Sequence, residues 1–167
     1  MKHFSLLFIV LICVSCGTKK GLHDNAVHLY KGQLKYINGA YHNQAVNSFE
    51  TVSLLDQLKI PYNSTVELVN LRLLNEKELE VSFHDGGQFQ TQIIKGKRKN
   101  GGFSFKKKTK WFGIPLLFFL KNKTTHVLYM NNDLGIVIES ENTKSQMFFF
   151  EGKTSKLETE YHFDKAI

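Results

Sequence analysis

From Val66 to the end of the chain the hydrophobic pattern has a period of two, interrupted by turn-forming residues about every ten positions. Leu79, Val81 and Phe83 alternate with Glu80, Ser82 and His84, and Phe89, Thr91 and Ile93 alternate with Gln90 and Gln92. Successive side chains of a strand point to opposite faces, so this alternation buries one face and wets the other. Asp85-Gly86-Gly87 and Asn100-Gly101-Gly102 offer the positive backbone angles that tight hairpins need, and Asn131-Asn132-Asp133 and Glu151-Gly152-Lys153 are weaker signals of the same kind. The strands so delimited are Val66 to Leu74, Glu78 to His84, Phe89 to Lys97, Gly102 to Lys108, Phe112 to Leu120, Thr125 to Met130, Leu134 to Ser140, Ser145 to Phe150 and Leu157 to Phe163.

Ahead of them, Leu34 to His42 reads as a first strand. Between Asn47 and Lys59 the period changes: Phe49, Val52, Leu55 and Leu58 recur every three residues, Asn47 can cap the start, and Glu50 stands where a capping-box partner would. Pro61 bars continuation, so the expectation is one short amphipathic helix over Ser48 to Leu58. The expected fold is all-β: a small antiparallel up-and-down barrel of about eight to ten strands, which hides its edges by closing, with one short helix between the first two strands. A β-sandwich is the alternative.

Gly39-Ala40-Tyr41 in the first strand, then a helical segment, then a meander of strands, resembles the calycin group, whose members are lipocalin-like barrels. Intracellular lipid-binding proteins of that group carry Gly-x-Trp in the first strand and a helical lid after it. The resemblance spans Leu34 to Phe163, with Tyr41 in place of the tryptophan. It implies an architecture and, for the family, a hydrophobic ligand. The Arg-x-Tyr pair with which those relatives hold a carboxylate is represented here by Glu160-Tyr161, without the arginine.

The N-terminal stretch sets a different constraint. Lys2 and His3 precede the unbroken apolar run Phe4 to Ile12, and Val14-Ser15-Cys16 closes it with a small residue before a cysteine, the layout of a secretory signal. The run is shorter than the ~20 residues a spanning helix requires. Cys13-Val14-Ser15-Cys16 resembles the lipobox of bacterial lipoproteins, with Cys13 where leucine is usual. The resemblance implies cleavage before Cys16, acyl chains on that cysteine, and an envelope address. Gly17 in the following position makes the outer membrane, facing the periplasm, the expected one. An ordinary cleaved signal peptide is the alternative. On this reading residues 1–15 are the signal, 16–28 the lipidated cysteine and its tether, and 29–167 a single barrel domain. Cleavage would remove Cys13, leaving one cysteine and no internal disulfide, and acylation accounts for the survivor.

About 150 residues remain after such processing, enough for one domain with a core of its own. The net charge of +7 falls to +6 without Lys2, a surplus that favours anionic partners. An export signal argues against nucleic acid as that partner. The charge concentrates between Lys95 and Lys110, and Lys97, Arg98, Lys99, Lys106, Lys107, Lys108 and Lys110, followed by Trp111, form a candidate contact with an anionic surface. The plainer account is that these lysines guard a strand edge. Ile114 to Leu120 and Phe148 to Phe150 are apolar on both faces of any strand, which suits either a packed core or the lining of a greasy cavity.

Catalytic signatures are not found. His84-Asp85 runs into a Gly-Gly turn, with the two side chains on opposite faces. His23, His28, His42, His126 and His162 lack the spacing of a zinc site, and there is no nucleophile elbow, phosphate loop or dinucleotide fingerprint. The expectation is therefore a non-enzymatic lipoprotein with no metal or cofactor, held to the membrane through Cys16. It would bind a lipid or other hydrophobic molecule, or an envelope protein. A structural or protein-interaction module with a solid core is the alternative.

Overall fold

The computed structural model describes residues 27, 29–30, 32–99, 101–114, 118–149 and 151–166, with Lys106 and Lys107 described in their backbone only. The expected signal, Cys16 and nearly all of the tether lie outside the described residues.

The described chain is all-β. Eight strands, β1 (Gly39–His42), β2 (Leu68–Asn75), β3 (Glu78–Asp85), β4 (Gln88–Lys99), β5 (Gly102–Ile114), β6 (Phe118–Met130), β7 (Ile136–Phe148) and β8 (Glu151–Phe163), form one antiparallel sheet in chain order. The count is lower than ten because three expected breaks, after Lys108, Leu120 and Ser140, do not occur, while the expected strand Phe112 to Leu120 is divided between β5 and β6. The stretches read as separate strands up to Lys108 and from Phe112 belong to one continuous β5, and those up to Ser140 and from Ser145 to one β7. Polar residues such as Glu141, Asn142 and Thr143 look like a loop in sequence but pair in register with Thr125, Thr124 and Lys123. The β7–β8 turn likewise falls between the paired Phe148 and Glu151, while Gly152 lies inside β8 opposite Met147.

The expected Asp85-Gly86-Gly87 turn holds. Gly86 and Gly87 both have positive φ, 58° and 84°, between the paired Asp85 and Gln88. After β6, the Asn131 carboxamide accepts from the Asp133 amide at 3.0 Å and closes that turn.

Two elements near the start differ from expectation. Leu34–Ile37 is a 3-10 turn that buries both ends of its three-residue repeat, so β1 begins only at Gly39. The helix α1 is Leu54–Leu58, capped by Ser53, whose hydroxyl accepts from the Asp56 amide at 3.0 Å. Asn47 and Glu50 do not open it. The chain before Ser53 is engaged instead in the Gln44–Ser53 bridge and in a bond from the Ala45 amide to the Val52 carbonyl, and Phe49 is fully exposed.

The core lies at one end of the sheet. Tyr41, Val69, Leu71, Leu79, Val81, Phe83, Phe103, Phe105, Leu128, Ile136, Ile138 and Phe163 form it, with Leu34, Ile37, Leu54, Leu55 and Leu58 packed over it. The Tyr41 hydroxyl donates to the Ile37 carbonyl at 2.7 Å, and burial pushes its pKa up to about 12. The first and last strands approach each other here: the His42 amide donates to the Asp164 carbonyl at 2.9 Å, the Ala166 amide to the Ala40 carbonyl at 2.8 Å, and Tyr41 bridges Lys165. The contact is a single bridge with flanking bonds rather than a ladder, and the sheet is not closed. None of the described helices is long and apolar enough to cross a membrane.

Candidate functional site

The strands β5 to β8 are each thirteen residues long, more than the core requires. Their inner halves carry the core residues, and their outer halves run on past it as a four-stranded projection. Strand β4 pairs with β5 only as far as Phe105, so from Lys108 to Ile114 the outer edge of β5 has no partner strand among the described residues.

The register orders the projection into rows. Nearest the end, Ile114, Phe118, Phe148 and Glu151 lie side by side, and two positions inward come Phe112, Leu120, Gln146 and Lys153. These rows share one face. On the opposite face lie Gly113, Phe119, Met147 and Gly152, then Trp111, Lys121, Ser145 and Thr154. The end of the projection is therefore apolar on both faces. Trp111, Phe112, Ile114, Leu120, Phe148 and Phe149 are 47–68% exposed, against near-complete burial for the core aromatics. The expectation that Ile114 to Leu120 and Phe148 to Phe150 form plain core is corrected for Ile114, Leu120, Phe148 and Phe149, which are exposed, while Phe118 and Phe119 are half-buried; residues 115–117 and 150 lie outside the described set. Among the described residues nothing covers the exposed side chains, because the strands outrun the helix and the remaining strands.

Behind the apolar end lies positive charge. Lys110 and Lys144 flank the same row on one face, Lys121 and Lys123 occupy the other, and Lys108, Lys153 and Lys156 complete a set of seven lysines against Glu141, Glu151 and Glu158.

Local chemistry shows how the two hairpin ends are held. Gly113 has φ 126°, and a Cβ there would lie 2.3 Å from the Phe118 carbonyl oxygen, so only glycine lets β5 approach β6 this closely. In the β7–β8 turn Phe149 has φ 42°. A turn of this geometry is ordinarily given to Asn or Gly, and an aromatic residue there carries strain of about 1–2 kcal/mol.

The structure divides the basic residues singled out in the sequence. Lys108, Lys110 and Trp111 stand on the exposed projection, and Lys106 and Lys107 lie in the β5 backbone at the irregularity between Phe105 and Lys108. Lys97, Arg98 and Lys99 are at the opposite end of β5, paired with residues 102–104. Arg98 is half-buried and donates to the Leu29 carbonyl at 3.1 Å. Lys95, Lys97, Lys99 and Lys123 border an open groove of about 380 Å³ floored by Ser104 and Thr125. Gly101 and Trp111 are thus separated by most of a strand and do not form one hairpin tip. Sequence reading missed Lys121, Lys123, Lys144, Lys153 and Lys156, since only the register brings them beside Lys108 and Lys110.

Other polar clusters are accounted for by structure. Glu139, Glu141 and Glu158 place carboxylate oxygens within 4.8 Å of one another. The Lys156 ammonium binds Glu141 at 3.2 Å and also Glu158, whose hydrogen bond leads in raising the Lys156 pKa. Burial raises the Glu141 pKa, but hydrogen bonds from Lys156 and Thr143 outweigh it and the carboxyl titrates below its usual value. His126 is buried against Phe105, with Nδ1 2.7 Å from the Ser140 hydroxyl. Asp85 is a turn residue as expected: it accepts from the Ser64 hydroxyl and from the Asn63 and Ser64 amides, which hold its pKa below the ordinary value.

No family model, curated protein or solved structure matches the chain.

Proposed function

We propose that the chain is a non-enzymatic lipoprotein of the bacterial envelope, anchored by acyl chains on Cys16, whose β domain is an interaction module with a solid core and a working surface at the projecting end of β5–β8. The observation that carries the anchor is the apolar run ending in Cys13-Val14-Ser15-Cys16. The solid-core reading is supported by the large side chains that meet in the interior, Tyr41, Phe83, Phe103, Phe105 and Phe163, each 2% exposed or less. Small barrels fill their interiors in this way. In the same reading, residues 164–166 against β1 complete a barrel-like wall around that core, in keeping with the calycin resemblance.

A second reading, a hydrophobic small molecule as ligand, has one observation in its favour. An open cleft of about 490 Å³ lies between the hairpin ends, lined by Phe118, Phe119, Leu120, Met147 and Phe148 among others. Native mass spectrometry of the purified protein separates the two, since a bound ligand adds a mass that denaturation removes.

The anchor is tested in cells. Cys16→Ala is expected to abolish incorporation of labelled palmitate and to make the protein extractable from membranes by a high-salt wash, which screens contacts between lysines and headgroups but leaves an acyl anchor in place. Retention of the variant in washed membranes, without label, would show that something other than acyl chains holds it.

A further inference from the structure

We propose that the end of the β5–β8 projection is a membrane-docking element: the apolar rows formed by residues 111–114, 118–120 and 147–148 enter the interfacial region of a bilayer, and the neighbouring lysines bind anionic lipid headgroups. The inference rests on the working surface just proposed and names its partner.

The decisive observation is that the apolar end is two-sided. Phe112, Ile114, Leu120 and Phe148 lie on one face, and Trp111, Phe119 and Met147 on the other. A protein partner docking on a sheet covers one face and leaves the other in water. A lipid interface surrounds an inserted end and takes up both.

The dimensions agree. The apolar rows span two to three residues, about 7–10 Å at ~3.3 Å per residue, which matches the depth at which interfacial elements sit. The strand pairing continues to Ile114–Phe118 and Phe148–Glu151, so the inserted strands bring only their outer edges unpaired, and at this depth those remain within reach of water and headgroups.

The charge complements the shape. Lys121 shares the row of Trp111, the innermost apolar row, and Lys110 and Lys144 lie one row behind it, so the lysines border the apolar end on both faces. Glu151 is the one acid in the apolar rows among the described residues. Phe149 supplies an independent sign. It holds a positive φ of 42° where a polar turn residue would relax the backbone, so an apolar tip is kept at the expense of turn geometry.

The test uses the chain from residue 16 onward with Cys16→Ala, which retains every core residue and carries no acyl chain, so its outcome is independent of the anchor. Trp111 is the sole tryptophan and stands in the innermost apolar row, so its emission reports insertion. Vesicles of equal parts phosphatidylglycerol and phosphatidylcholine are expected to shift that emission to the blue, whereas phosphatidylcholine alone leaves it unchanged at the same lipid concentration. Lys110→Glu with Lys121→Glu should weaken binding at least about tenfold. Phe112→Ser with Phe148→Ser, at exposed positions that leave the core intact, should abolish the shift while the circular dichroism spectrum is preserved.

Three results overturn the proposal. They are no shift with anionic vesicles, binding that survives the serine substitutions, and a lipid-independent dimer that the serine substitutions dissociate, which would assign the tip to a second copy of the chain. None of these bears on whether Cys16 is acylated.

Discussion

At the scale of single residues, one buried side chain joins three elements. Asn43, 6% exposed, follows β1; its carboxamide donates to the Val66 carbonyl at 3.0 Å and accepts from the Leu55 amide at 3.1 Å. Its own amide bonds the Glu67 carbonyl, and its carbonyl receives the Leu54 amide. The residue thus satisfies the open N-terminus of α1 and fixes the chain's entry to β2. Asn43→Ala would leave a buried N–H and a buried C=O without partners, each costing about 1–3 kcal/mol. The expected result is a loss of about 2–4 kcal/mol, read as a lower urea midpoint with an unchanged slope. Little in the sequence marks Asn43, which resembles any polar residue after a strand. Its role depends on partners twelve and twenty-three positions away. By contrast the turn function of Asp85 is legible, because the glycines that follow it impose the hairpin locally.

At the scale of elements, alternation and glycine turns made the antiparallel meander readable, and the same rules explain the errors. Period two reports which face is buried only where a core lies beneath one face. On the outer halves of β5–β8 it fades: a run such as Lys121-Asn122-Lys123-Thr124 is polar on both faces and carries no strand signal, though it pairs without interruption in β6. The apolar ends mislead in the opposite sense, since Phe148 and Phe149 look like core to any hydrophobicity rule. The β7–β8 hairpin allows a test of this reading. Phe149→Asn places a residue tolerant of positive φ in the turn, so the protein should become more stable by up to about 1 kcal/mol, seen as a raised melting temperature. The same change removes an apolar group from the tip and should weaken binding to anionic vesicles. A gain in stability with binding unchanged would show that the aromatic turn is not kept for the membrane.

At the scale of the whole molecule, Val27, the point from which the proposed tether runs back to Cys16, and the projecting tip lie at opposite ends of the long strands. The Val27 amide donates to the Met130 carbonyl at 2.9 Å, at the far end of β6 from Phe118. The intervening strand is about 40 Å long at ~3.3 Å per residue. The chain from residue 16 to residue 27 can reach at most about 40 Å when fully extended. On the proposed anchoring, a lipid on Cys16 would let the projection stand with its tip in the same bilayer, but with little slack. Deleting residues 18–25 shortens the reach to about 11 Å and should lift the tip out of that bilayer. In vesicles carrying the acylated protein and a quencher attached to lipid chains, Trp111 should be quenched with the full tether and released from quenching by the deletion. The shortened protein should instead bring separate anionic vesicles together, because its tip is free to enter a second membrane. Equal quenching in both proteins would mean that the domain lies along the surface, with its long axis parallel to the bilayer and the tether length immaterial.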